Sequence, residues 1–157
     1  MRSLALSCTF ILVLLGACAD SDDGQHAGHT SGDEAYTFGE AGDAGDADRT
    51  IEIAATDPLE FSPEEIEAES GETITFVVTN EGSQEHEFTI GDESYHESYG
   101  TEGGETHHGS NGVHLLPGET GELTWTFSGA GKLLFACHVN GHYEGGMVGE
   151  INLSFGE

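Results

Sequence analysis

The chain has 157 residues and a formal charge of -27, with 30 Asp and Glu against three Lys and Arg. A surface this acidic repels nucleic acid and anionic headgroups, which excludes DNA binding or membrane adsorption through charge and favours cationic partners such as metal ions or basic proteins. The length suits one domain with an export segment and a tether, and the charge, spread along the chain, points to a soluble monomer.

Met1-Arg2 is a short basic start, Leu4 to Leu15 is largely apolar, and Leu15-Gly16-Ala17-Cys18 sets small residues before a cysteine. The apolar run is too short to span a bilayer and suits an export signal. Its ending resembles a bacterial lipobox. That resemblance implies a signal peptide over residues 1–17, lipidation of Cys18, and a membrane anchor on the periplasmic or extracytoplasmic side of the cell envelope. An ordinary cleaved signal with Cys18 near the cut is the competing reading. Cys8 leaves with the signal, so Cys137 is the one cysteine expected in the folded part without a covalent role.

Residues 18–48 hold the candidate lipidated Cys18 and then Asp, Gly, Ala, Ser and Glu with almost no large apolar residues. Such a stretch cannot bury enough surface to offset its ordering entropy, and a flexible tether is expected. His26 and His29 within it are read as solvated.

From residue 49 to residue 157 the texture is that of short strands. Thr50-Ile51-Glu52-Ile53-Ala54 alternates with period two, Ile66 to Glu69 follows, and Thr73 to Thr79 is rich in β-branched residues. Asn80-Glu81-Gly82 signals a turn before His86 to Ile90, and Pro117-Gly118 another before Glu122 to Phe127. Lys132 to Ala136 and Gly149 to Phe155 supply the last two strands. Sustained helical periodicity is missing, so an all-β sandwich of roughly a hundred residues is predicted. Phe76, Trp125, Phe127 and Phe135 are its expected core aromatics. A polar insertion at about 91–114, bearing His96, His107, His108 and His114 among acidic residues, interrupts the pattern; a loop this long is usually functional or disordered.

Cys137, His142 and Met147 follow one another at C-x4-H-x4-M spacing in a glycine-containing segment. A thiolate, an imidazole and a thioether suit copper, which must remain bound in both oxidation states. One loop cannot surround an ion, so a further ligand must come from elsewhere; His86, opening a strand, is a candidate. His138 competes with His142, but adjacent residues leaving a strand point to opposite faces, and His138 is expected on the outer, partner-facing side.

Gln84-Glu85-His86-Glu87-Phe88, Phe135-Ala136-Cys137 and His142-Tyr143-Glu144-Gly145-Gly146-Met147 together resemble the cupredoxins, in the azurin, auracyanin and rusticyanin branch. The resemblance covers about Thr50 to Phe155. It implies a Greek-key β-sandwich with one type 1 copper held by His86, Cys137 and His142 and a weak axial Met147. Ala136 stands where a multicopper oxidase has the first histidine of a His-Cys-His triplet, and one cysteine is too few for a binuclear centre. Catalysis is therefore not expected. Two roles remain: one-electron transfer at the envelope with a redox protein, basic by charge complementarity, or copper homeostasis and resistance with extra copper at His96, His107 and His108.

Overall fold

The computed structural model describes residues 36–99 and 109–156, which form two five-stranded sheets packed face to face. In chain order the strands are β1 (Gly39–Ala41), β2 (Arg49–Thr56), β3 (Glu60–Ser62), β4 (Glu65–Glu69), β5 (Thr73–Asn80), β6 (His86–Gly91), β7 (Gly112–Leu115), β8 (Thr120–Phe127), β9 (Gly131–Ala136) and β10 (Val148–Ser154). One sheet runs β1-β8-β5-β2-β3 and the other β4-β10-β9-β6-β7. β2 with β5 and β4 with β10 are parallel pairs, and the remaining pairs are antiparallel. The expected all-β sandwich is the fold found. Among the described residues no helix is long and apolar enough to cross a membrane.

Alternation explains most of the strands. In β2, Ile53 and Ala55 are buried while their neighbours are more exposed, as a sheet with one face on the core requires. Between the sheets, Phe61, Phe88 and Phe135 meet with centroids 5.1 to 5.9 Å apart, and Phe76 packs on Phe88 at 5.3 Å. Offset and edge contacts of this kind add to the burial of the rings. Trp125, Phe76, Phe127 and Phe135 are all buried, as expected.

Two expectations need correction. Residues 36–48 are not tether: β1 pairs with β8, Gly39 opposite Phe127 and Ala41 opposite Trp125. Phe38 packs on Trp125 at 5.7 Å and Tyr36 on Phe38 at 5.1 Å. These two rings supply the apolar area that the surrounding Gly and Asp lack, and that is what draws the segment onto the sheet. Cys18, His26, His29 and the signal lie outside the described residues.

The second correction concerns the insertion, which begins with a helix, α1 (Glu93–Ser98). Asp92 caps it, accepting the Tyr95 N–H at 2.8 Å, and Tyr99 N–H closes its end on the Tyr95 carbonyl. α1 lies over β6 and β9. All six residues of β6 are buried, although three of them, His86, Glu87 and Thr89, are polar. His107 and His108 lie outside the described residues.

Candidate metal centre

β6 and β10 flank β9, with Thr89 and Val148 both opposite Ala136. Cys137 follows at once, so the thiol leaves the sheet end between two strands. The segment to β10 winds into a tight loop. His142 N–H bonds to the Val139 carbonyl and Met147 N–H to the His142 carbonyl, both at 2.9 Å, and Cys137 N–H bonds to the Met147 carbonyl at 3.2 Å. Gly146, at φ 95°, takes the left-handed turn that returns the chain to β10. Cys137 and Met147 are thereby joined at the base of the loop, with His142 at its tip.

The three expected sulfur and nitrogen donors converge. Cys137 Sγ lies 3.4 Å from His142 Nδ1 and 3.9 Å from His86 Nδ1, and the two imidazole centroids are 5.1 Å apart. Ligand atoms of His86, Cys137 and His142 all fall within 4.8 Å of one another. His86 and Cys137 are fully buried and His142 is 5% exposed; Met147, which closes the loop, is also fully buried.

Hydrogen bonds hold the donors in place. The Glu87 N–H, next to His86, donates to Cys137 Sγ at 3.2 Å. Asn80 organises the turn before β6. Its Nδ2 donates to the carbonyls of Gln84 and Leu115 at 2.7 and 3.0 Å, and its Oδ1 accepts the Gly82 N–H at 2.9 Å. Behind His86, Nε2 faces Asp57 Oδ1 at 3.5 Å and has no hydrogen-bond partner. Asp57 is tied to Ser83, whose N–H and Oγ–H both donate to Oδ2 and hold the carboxyl below its ordinary range.

Burial acts on the protonation of Cys137 and His86. It pushes the Cys137 thiol up to about 11, against the opposing pull of the Glu87 and Val139 N–H groups. Burial, followed by the nearness of His142, lowers His86. A buried thiol and two imidazoles crowded together gain from a cation that takes the thiolate and the nitrogen lone pairs. The set of one sulfur and two nitrogens is the one copper prefers.

The opposite face holds residues that sequence reasoning placed differently. His138 points away from Cys137, as expected, but is not displayed on an open surface. It is half-buried beneath α1, Nε2 2.9 Å from His96 Nδ1, with the Tyr99 and Tyr143 rings at 4.0 and 4.7 Å. His96 itself is buried, not displayed on a loop. Burial lowers both imidazoles to about 4. Glu87 is buried nearby, accepting from Tyr99 Oη at 2.5 Å and Thr89 Oγ1 at 2.9 Å. Alternation along β6 signals that Glu87 and Thr89 share a face, but nothing in the sequence signals that α1 covers it. His114, on β7, lies 3.5 Å from Glu85.

A two-sheet sandwich carrying a buried Cys and two His at one end is the architecture of a cupredoxin. The family profile described as copper binding proteins, plastocyanin/azurin family, matches residues 47–154. The copper-resistant cuproprotein CopI of Rubrivivax gelatinosus is 36% identical over 94% of this chain and 93% of its own length. The protein of the same name from Pseudomonas aeruginosa is 32% identical over 97% of both chains. Among solved structures, dithionite-reduced auracyanin from the photosynthetic bacterium Roseiflexus castenholzii superposes with a TM-score of 0.59 at 27% identity, covering 68% of this chain and 98% of its own. The chain belongs to the plastocyanin/azurin family of copper-binding proteins.

Proposed function

We propose that the protein holds one type 1 copper through Cys137 Sγ, His86 Nδ1 and His142 Nδ1, with Met147 as a weak axial ligand, and that it serves copper resistance at the cell envelope. The observation that carries the copper reading is the convergence of three buried donors within 4.8 Å on a hydrogen-bonded frame. The resistance role is favoured by full-length similarity to proteins named for copper resistance. Export through residues 1–17 and a lipid on Cys18 would hold the domain where incoming copper is met. The acidic surface raises the local concentration of cations around it. The protein acts by binding copper and not as an enzyme.

A second reading, one-electron transfer, is favoured by the rigidity of the cluster. Ligands fixed by backbone hydrogen bonds rearrange little between oxidation states. The near-surface His142 edge would then meet the partner, and the net charge suits a basic one.

Copper tolerance separates the two. A strain lacking the gene should lose growth at raised copper and regain it with the wild-type chain but not with Cys137→Ser. Normal copper tolerance, together with failure to pass electrons to respiratory or photosynthetic acceptors, would favour the second reading.

A further inference from the structure

His96 of α1 and His138 meet on the face of β9 opposite the Cys137 cluster. His96 Nε2 lies 3.3 Å from the Leu134 carbonyl oxygen, and His96 Nδ1 lies 2.9 Å from His138 Nε2. A carbonyl only accepts, so His96 carries its proton on Nε2 and, as a neutral ring, offers a bare lone pair at Nδ1. His138 therefore donates from Nε2. The ring planes differ by 15° with centroids 5.2 Å apart. With nitrogens only 2.9 Å apart, the rings meet edge to edge, lone pair and N–H facing along one line.

The geometry points to a second copper site, in which Cu(I) bridges His96 Nδ1 and His138 Nε2 as a linear two-coordinate ion. This deepens the copper-resistance reading and rests on it. The ion takes the place of the shared proton, that proton moves to His138 Nδ1, and no electron changes hands. Metal–nitrogen bonds of roughly 2 Å need the nitrogens about 4 Å apart, an opening of about 1 Å. That opening requires side-chain rotation and a small shift of the six-residue α1.

One feature favours a cuprous ion over a divalent one, and two more favour a bound cation of either kind. Among the described residues, the only group of three or more His, Cys, Asp or Glu with ligand atoms within 4.8 Å of one another is His86, Cys137 and His142, so no third such donor among them lies that close to both His96 and His138. Divalent ions want four or more donors, whereas a soft monovalent ion is satisfied by two in line. The carbonyl on the far nitrogen of His96 is the usual support for a metal-bound imidazole. Tyr99 and Tyr143, against His138 at 4.0 and 4.7 Å, present ring faces that favour an added positive charge.

The test is anaerobic Cu(I) titration of the whole copper-free chain against the chelator bicinchoninate. His96→Gln should bind one tight equivalent fewer than wild type while keeping the full visible band of the Cu(II)-loaded Cys137 site. An unchanged number of equivalents overturns the proposal. Nitrogen NMR needs no variant. With the first site filled by Cu(I), a second equivalent should move the His96 Nδ1 and His138 Nε2 resonances. Movement confined to other histidines overturns it. The Cys137 band reports separately on the type 1 reading, so its failure is distinguishable from failure at His96.

Discussion

The Glu87 N–H donates to Cys137 Sγ at 3.2 Å, so the strand that opens with His86 also grips the thiol. Two ligands far apart in sequence are thus set by one strand neighbourhood, not by two independent loops. A sulfur that accepts from backbone N–H is better able to carry negative charge. The same contact fixes where the sulfur sits relative to His86 Nδ1, 3.9 Å away.

Asn80 is buried, and its three side-chain hydrogen bonds are all made to backbone. Asn80→Ala leaves two carbonyls and an N–H short of partners, and about 1–3 kcal/mol of stability should be lost. Urea unfolding of the copper-free protein measures this. Because the loop leads directly into His86, copper affinity should fall as well.

Asp57 faces His86 Nε2 at 3.5 Å, the position from which a carboxylate steadies a metal-bound imidazole. Asp57→Asn should weaken copper binding roughly 10- to 100-fold with little change in fold. Chelator competition gives the affinity, and circular dichroism checks that the sandwich is intact.

Phe38 packs on Trp125 and is 5% exposed, although it lies in a stretch whose composition reads as tether. Phe38→Ala should cost about 3–5 kcal/mol, the usual cost of deleting a core phenylalanine. A chain beginning at Arg49 should melt lower than one beginning at Tyr36. Equal melting temperatures would mean that β1 adds nothing.

The Cys137 thiol, lifted by burial from an ordinary 9.0 to about 11, makes the copper-free fold sensitive to alkali. The folded state binds this proton more tightly than the unfolded one. Its contribution is therefore fully present below pH 9 and lost as the pH rises through about 11. Melting temperature should fall across that window in the copper-free protein, and less so in Cys137→Ser. At pH 7 copper loading should release the thiol proton, detectable in weakly buffered titration.

The strands at Thr50, Thr73, His86, Glu122 and Lys132 were legible because β-branched alternation and turn residues mark them locally. Cys137, His142 and Met147 were legible for a similar reason: one short loop carries all three. His86 was recognisable only by resemblance, since its link to Cys137 runs through strand pairing such as Thr89 with Ala136. β1 was hidden because two aromatic rings in an acidic, glycine-rich stretch show no periodicity. The His96–His138 pair was hidden because α1 has six residues, too few for a helical pattern, and its partner is 42 positions away. Asp57 escaped notice because a carboxylate among 30 acidic residues carries no local signal.

The most direct measurement of the central claim is the visible spectrum of the copper-free chain as Cu(II) is added, run beside Cys137→Ser. One equivalent should raise an intense thiolate-to-copper band that saturates, bleaches on reduction and returns on oxidation, and Cys137→Ser should show none. A band that survives in Cys137→Ser, or copper bound by wild type without one, would contradict the assignment of copper to His86, Cys137 and His142.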